Sequence, residues 1–547
     1  MLKSPFQIAR GKYIPKMPDS LTGAVRLVEG NKTQSVADHE EIKQIFPNTY
    51  GMSVLTFAPE DKEKTYPVVN VGVVLSGGQA PGGHNVISGL FDGLKKCNKK
   101  NRLYGFLGGP LGMVENEYKE LTEDLVDNYR NTGGFDIIGS GRTKLEEEAQ
   151  YEKVIKNCKN LNINAIVVIG GDDSNTNACI LAEYFIQKKT GIQVLGVPKT
   201  IDGDLKNEVV EASFGFDTAC KVYSGLIGNI ERDANSSKKY YHFIKLMGRS
   251  ASHITLECAL QTHPNITIIS EEVEQKNMTL EDIVNYIADI VIKRAEQGFN
   301  FGIVLIPEGL VEFIPAIKKL IAELNDCIVK IGERIDLIES NRERRELVTA
   351  ELSSESAEIF TSLPNSFANE LLLDRDPHGN VQVSLIETEK LLIDMVKAKI
   401  KKKRKAGEIQ NKFKGQPHFF GYEGRCASPS NFDADYGYTL GFTTSLLISE
   451  GKTGYMASVK NLVKPVSEWI PGGAPITMMM NLEKRQGKIK PVIQKALVDL
   501  NGKPFAKLLE MRKKWAMNTM YIYPGPIQYF GPPEVCDQTT ETLKFES

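Results

Sequence analysis

Two short segments of this 547-residue chain hold residue types suited to phosphoryl-group chemistry. The first, VVIGGDDSNTNA (167–178), ends an apolar run in two glycines and then sets Asp172 and Asp173 side by side. Glycines after a strand let backbone N–H groups approach an anion closely, and a carboxylate there can hold Mg²⁺ between polyphosphate oxygens, directly or through water. A helix capped by Ser174 or Asn175 is expected to follow. The second segment, PKTIDGDL (198–205), places Asp202 and Asp204 around Gly203, with Lys199 and Thr200 just before them. A carboxylate beside a sugar hydroxyl can take its proton as general base while a lysine balances phosphate charge. A capped helix or an Asp-Gly turn uses the same residues for geometry alone, so each segment by itself leaves both explanations open.

Further candidates punctuate the chain in the same way. SGGQAPGGHN (76–85) can present the N–H groups of Gly77 and Gly78 to an anion at a helix N-terminus. It has neither the GK[ST] of a Walker loop nor the GxGxxG spacing of a dinucleotide site. GSGRTK (139–144) offers the planar donor fork of Arg142, which suits phosphate oxygens and would equally pair with the acidic run that follows. LMGRSA (246–251), PEG (307–309) and GYEGRCASPSNFD (421–433) add Arg249 and Arg425 for a phosphate and Glu308 for hydroxyls.

These residues need rigid elements behind them. Short β-rich runs alternate with helical patterns from Val68 onward: 68–75, 102–109, 135–141, 164–171, 192–198, 242–248, 266–270 and 301–309. In the intervening segment 84–97, Val86, Ile87, Leu90, Phe91 and Leu94 fall on one helical face. Strand–helix alternation with nearly continuous apolar strands predicts an α/β fold whose parallel sheets are covered on both sides. Ligands of such sheets lie at the carboxyl ends of the strands, where the glycine turns also fall. Residues 1–65 are mixed and polar and read as an N-terminal extension; between 310 and 415 the alternation stops and long amphipathic patterns predict a helical insertion in the second domain. The run KKKRK (401–405) reads as a solvated helix face, with a nuclear signal or anion patch as the alternative.

Composition removes several function classes. A length of 547 residues calls for two or three domains. A net charge of −2 creates no global attraction for nucleic acid or an anionic membrane. No apolar run approaches the ~20 residues of a membrane span, and the N-terminus lacks the apolar core of a secretory signal. Eight scattered cysteines without a CxxC pair indicate buried thiols in a reducing cytoplasm.

The order of the segments is informative where each alone is not. SGGQAPGGHN, GSGR, IGGDDSN, PKTIDGDL, MGRSA, PEG and GYEGRCASPSNFD resemble the successive motifs of the phosphofructokinases, from about Val68 to Asp433. LLLDRDPHGNVQVSLIETEKLL (371–392) and WIPGGAPITMMMNLEK (469–484) resemble the long, plant-type, pyrophosphate-dependent branch. The resemblance implies two Rossmann-like doubly wound domains: 66–240 plus about 426–547 for the phosphoryl donor and metal, and 241–425 for fructose 6-phosphate. It implies reversible, Mg²⁺-dependent transfer of a phosphoryl group from pyrophosphate to the sugar 1-hydroxyl, a glycolytic reaction.

Residue by residue, the resemblance implies that Gly78, Arg142, Asp173 and Lys199 face the donor and that Asp172 holds Mg²⁺. Asp202 would deprotonate the hydroxyl, with Thr200 and Ile201 beside it and Asp204 in support. Met247, Gly248, Arg249, Glu308, Tyr422, Glu423, Gly424 and Arg425 would bind fructose 6-phosphate. Lys239 and Tyr240 stand where relatives lend a basic residue to the neighbouring subunit's site, which implies a homodimer or larger homo-oligomer with shared sites. Two positions depart from the family pattern: SSKKYYHF lacks the arginine common in ATP-using relatives, and Tyr422 stands where many relatives have histidine. The competing readings are an ATP-dependent 6-phosphofructokinase and a non-catalytic regulatory subunit of the same family. The second sits poorly with the presence of Asp172, Asp202 and Arg249. A dehydrogenase fails for want of GxGxxG and its downstream acid.

In ATP-using relatives the positions of Asp173 and Lys199 are typically glycine. An aspartate there fills the space beside the backbone and aims negative charge at the place of an α-phosphate, so it excludes ATP while pyrophosphate ends short of it. Asp173→Gly should therefore lower pyrophosphate activity and admit ATP, and adding Lys199→Gly should extend the shift. Steady-state kinetics with both donors checks this; a residue that merely caps a helix would change stability by about 0.5–2 kcal/mol and leave the donor ratio alone.

Overall fold

The computed structural model describes residues 2–547 apart from 63, 336, 373–384, 411 and 486–487, so the segment 371–392 quoted above lies partly outside the described residues. In chain order the strands are β1 (Ala24–Lys32), β2 (Ser53–Glu60), β3 (Asn70–Leu75), β4 (Arg102–Phe106), β5 (Tyr118–Glu120), β6 (Ile163–Gly170), β7 (Gln193–Thr200) and β8 (Phe214–Gly215). They continue with β9 (Tyr241–Leu246), β10 (Ile266–Thr267), β11 (Gly302–Pro307), β12 (Gly415–Phe420), β13 (Tyr455–Lys460), β14 (Ile470–Pro475), β15 (Met480–Arg485) and β16 (Lys488–Ile493).

The first sheet runs β1-β2-β14-β13-β7-β6-β3-β4-β5, with β8 added beside β7. Its centre, β4, β3, β6, β7 and β13, is parallel. From β3 the chain moves to β4 on one side and returns as β6 on the other, so strand order reverses between β3 and β6. A crevice opens at the carboxyl ends there. The second sheet, β10-β11-β9-β12, is all parallel and reverses between β9 and β12. The α/β architecture follows from the nearly continuous burial of these strands: Val71, Val73, Val74 and Leu75 on β3, and Ala165 to Ile169 on β6, are buried on both faces.

Four differences from the sequence reading have physical causes. Residues 24–60, expected as part of an extension, pair antiparallel with each other and with β14, closing an edge that would otherwise expose unpaired N–H and C=O groups. The sheet is therefore mixed, because β4–β5 and β13–β14 are antiparallel as well. The run 135–141 makes only an isolated bridge, Ser76 to Gly141. Positive φ at Gly133 and Gly139 bends the chain on either side, while Phe135, Ile137 and Ile138 still fill the core from a turn. Finally, the helix Lys503–Met517, assigned by sequence to the first domain, packs beside the second sheet. Asn265 Nδ2 donates to Trp515 O (2.9 Å), Arg294 Nη1 donates to Ala516 O (3.0 Å), and Trp515 stacks on His263 at 4.2 Å.

Most described residues of 310–415 are helical: Pro315–Ile331, Asn341–Thr349, Ser354–Ser362, Asn365–Glu370 and Thr388–Lys405. These helices bury Leu320, Leu324, Val348, Phe360, Leu392 and Val396 against one another and against the second sheet. Most of KKKRK is exposed at the end of the last of them, where cations also oppose the helix dipole favourably.

The two helices over the first sheet, Gly83–Cys97 and Asn431–Ser449, approach so closely that backbone meets backbone. A Cβ on Gly89 would lie 2.0 Å from Tyr438 O, and one on Gly441 would lie 2.0 Å from Val86 O. Gly89→Val or Gly441→Val must push the helices apart, so each should cost about 1–3 kcal/mol or more of stability, measured as the denaturation midpoint of the purified variant.

Candidate active site between the two sheets

The turn after β3 forms the floor of the donor side. Gly77 has φ +85°, a conformation that favours glycine, and a Cβ there would lie 3.3 Å from Lys199 Nζ. At Gly78 a Cβ would lie 2.8 Å from Arg425 Nη2 and 3.4 Å from Arg142 Nη2. One glycine pair thus brings together three cations: Lys199 on β7, Arg142 in the loop between β5 and β6, and Arg425 in the turn after β12. Arg425 Nε also donates to Gln79 O (3.0 Å), which holds the second domain's arginine against the first domain's turn.

Gly171 is the N-cap of the helix Asp172–Gln187, which places Asp172 and Asp173 in its first turn, beside the positive end of the dipole. The expected caps do other work. Ser174 Oγ donates to Ser76 Oγ (2.8 Å), tying β6's turn to β3's across the strand-order reversal. Asn175 Nδ2 reaches back to Gly170 O (2.6 Å) and Gly171 O (2.9 Å). No side chain caps the helix: Gly171 is its N-cap, so Ser174 and Asn175 lie inside the helix, past the capping position. Asp173 is half exposed with Lys144 Nζ at 3.4 Å, and Asp172 has Lys495 Nζ at 3.8 Å.

After β7, Asp202 N donates to Thr200 Oγ1 (3.0 Å), a local bond that fixes the turn while Ile201 anchors it in the core. Asp202 is partly exposed to the cleft and Asp204 is buried behind it. Burial, with the charges of Asp202 and Asp172 adding to it, pushes the Asp204 carboxyl up to about 7 against the opposing Lys495. Burial also pushes the buried Lys199 ammonium down to about 8; Arg425 and Arg142 act in the same direction and Asp202 and Asp172 against it.

The sugar side is assembled at the carboxyl ends of the second sheet. Gly248 N donates to Glu308 Oε2 (2.8 Å), and burial raises that carboxyl while this bond opposes the shift. A Cβ on Gly309 would lie 1.9 Å from Arg249 O, so PEG and MGR interlock through backbone. Met247 is buried and Arg249 is exposed at the cleft. Beyond β12, Gly421 N donates to Glu423 Oε2 (2.8 Å), Gly424 packs on Tyr223, and Tyr422 is 67% exposed. Asp433, at the end of the same motif, accepts from Gly215 N (2.9 Å) and Thr218 N (2.8 Å) and so holds the helix Phe216–Ser237 in place.

Lys239 and Tyr240 are not brought to this cleft. They precede β9, whereas Met247 to Arg249 follow it, and a six-residue strand spans about 20 Å. Sequence reasoning missed Lys495, Ser250, Ser76, Lys144 and Tyr223. None carries a motif of its own, although Ser76, Ser250 and Lys144 lie inside quoted motifs. A separate cavity of about 730 Å³, lined by Met17, Phe432, Lys464 and Trp469 among others, lies between N- and C-terminal segments.

Among the described residues no three His, Cys, Asp or Glu side chains converge to enclose a metal. Asp172 suits Mg²⁺ in its usual manner at phosphate sites, with one or two carboxylates and the remaining ligands from phosphate and water. No helix among the described residues is long and apolar enough to cross a membrane.

The two sheets, each with its reversal of strand order, set the fold, and the chain belongs to the phosphofructokinase family, whose model, described as Phosphofructokinase, matches residues 70–358. Within it, the chain is 60% identical over 546 residues to the pyrophosphate--fructose 6-phosphate 1-phosphotransferase of Porphyromonas gingivalis, covering 100% of this chain and 99% of that one. It is 51% identical over 544 residues to subunit beta 1 of the Arabidopsis thaliana enzyme of that name, covering 99% and 94%. The fold is like that of a pyrophosphate-dependent phosphofructokinase from Nitrosospira multiformis, with a TM-score of 0.53 at 16% identity over 86% of this chain and 96% of that one.

The state of Lys199 yields a pH prediction. A group held below its ordinary value loses its proton early, so the free protein's ammonium neutralises as pH rises through about 8. The kcat/KM for a polyphosphate donor should fall above that pH, because kcat/KM reports groups of the free enzyme. In Lys199→Arg, whose guanidinium keeps its charge, the fall should move to higher pH; pH–rate profiles of both proteins check this.

Proposed function

We propose that this cleft catalyses reversible, Mg²⁺-dependent transfer of a phosphoryl group from pyrophosphate to the 1-hydroxyl of fructose 6-phosphate, giving fructose 1,6-bisphosphate and orthophosphate. The carrying observation is the convergence of Lys199, Arg142 and Arg425 on the Gly77–Gly78 turn, next to the partly exposed Asp202. Full-length identity to enzymes named for this reaction supports it.

In this reading Asp202 accepts the hydroxyl proton as the sugar oxygen bonds to phosphorus and the bridging P–O bond breaks. The electron pair leaves with orthophosphate, whose charge Lys199, Arg142 and the Gly78 N–H face, the Gly77 N–H being donated to Gly141 O (2.8 Å). Asp172 would hold Mg²⁺, which when bound neutralises charge on the phosphate oxygens. Arg249, Glu308 and the 422–425 turn would hold the sugar phosphate. Asp173, at the first turn with Lys144, stands where it can act against a longer donor, which favours pyrophosphate over ATP. The placement of Lys239 and Tyr240 at the far end of β9 supports a homodimer or larger assembly in which they serve a neighbour's site.

The direct test is purified protein with fructose 6-phosphate and Mg²⁺, given pyrophosphate or ATP; strong preference for pyrophosphate is expected, and equal use of ATP would count against the donor assignment. Asp202→Ala should lower turnover by roughly 10²–10⁴ with little effect on substrate binding. Mixing it with Lys239→Ala under subunit exchange should restore part of the activity if sites are shared, and no recovery despite proven exchange would show self-contained sites.

A further inference from the structure

The C-terminal segment 494–498 laces the two sides of the cleft together. Gln494 N donates to Met479 O (2.8 Å) and Ala496 N to Asp204 O (2.8 Å), both on the donor side. The contact of His253 Nε2 with Ala496 O (2.8 Å) and the donation of Val498 N to Glu271 Oε1 (3.1 Å) tie the same segment to the sugar side. Backbone is therefore fixed on both flanks of Lys495. Its Nζ donates to Ser250 Oγ (2.7 Å), next to Arg249, and stands 3.8 Å from Asp172 Oδ2. The side chain is one-third exposed.

An ammonium has three hydrogens to donate. Among the described residues one goes to Ser250, and the Asp172 oxygen is too far for a good hydrogen bond. Lys199 and Arg142 stand against the Gly77–Gly78 turn, whereas Lys495 stands between Ser250 and Asp172. Asp172 interacts electrostatically with Lys199 and has Lys495 nearby, so an anion beside Asp172 would have both lysines near it.

We infer that Lys495 is a ligand of the phosphoryl donor, held on the C-terminal strap to contact the phosphate that leaves as orthophosphate. This rests on the donor site proposed above. A lysine that only neutralised Asp172 and Asp204 would matter for folding and carboxylate charge. A donor ligand must also discriminate between the two substrates.

The test is Lys495→Gln and Lys495→Arg, with Lys199→Met in parallel. Binding of pyrophosphate with Mg²⁺ and of fructose 6-phosphate is measured by calorimetry, and KM for all four reactants in both directions. Lys495→Gln should weaken pyrophosphate binding and raise KM for pyrophosphate and orthophosphate by about 10- to 100-fold, the usual effect of losing a charge-assisted hydrogen bond. Fructose 6-phosphate binding should change less than about 2-fold, and Lys495→Arg should recover most of the loss. If Lys199→Met loses pyrophosphate affinity and Lys495→Gln does not, the inference fails while the donor site stands; if neither loses it, the donor site is misplaced. Equal loss of both substrates in Lys495→Gln also overturns the inference. Should that variant not fold, Ser250→Ala, which removes the ammonium's anchor, must raise KM for pyrophosphate selectively or the inference falls.

Discussion

Lys199 is a buried ammonium with two guanidinium groups for neighbours, and the cleft is organised around keeping it there. Burial and like charge both work against its proton. What opposes them is the nearby carboxylate pair of Asp202 and Asp172, on two different strand ends. Take either strand end away and the cations lose their compensation; take the cations away and carboxylates crowd one another, as the raised Asp204 already records.

That arrangement is possible because parallel sheets end on one side. Both sheets reverse their strand order, between β3 and β6 and between β9 and β12, and a crevice forms at each reversal. Ser174 to Ser76 pins the first crevice, and Gly309 against Arg249 locks the carboxyl ends of β11 and β9 next to the second. Arg425, from the second sheet, crosses to Gln79 and Gly78 of the first. The strand-end turns of the two sheets are consequently parts of one cleft, with Arg425 joining them. The sugar-side role given to Arg425 by family resemblance is compatible with a position this close to the donor turn, where transferred phosphate must pass.

The remainder of the chain restrains this geometry. N-terminal strands close the first sheet's edge, and buried Arg10 donates to Asn431 Oδ1 (2.7 Å) and Pro429 O (3.1 Å), steadying the segment that follows Arg425. The helical region 310–415 backs the second sheet and contributes no side chain assigned to the cleft.

By itself the sequence determined the strand-end turns and their order. Apolar β-rich runs that stop at glycine, followed by Asp, Lys or Arg, are local signals, and local signals survive in one dimension. It also determined the α/β class through alternation, and the helices of 310–415 through their period. It misjudged 135–141 because a short apolar run is compatible with a strand or with a buried turn, and flanking glycines decide between them only once the chain is packed. It could not assign 24–60 to a sheet edge, since pairing with β14 joins residues more than 400 positions apart. The tertiary structure alone decided which strand ends face each other, that Asp204 is buried behind Asp202, that Ser174 and Asn175 serve the glycine turn instead of the helix, and that Lys495 enters the cleft. Apart from the local bonds of Asn175 to Gly170 and Gly171, these depend on contacts between segments far apart in sequence, set by how layers pack, and no spacing along the chain encodes them.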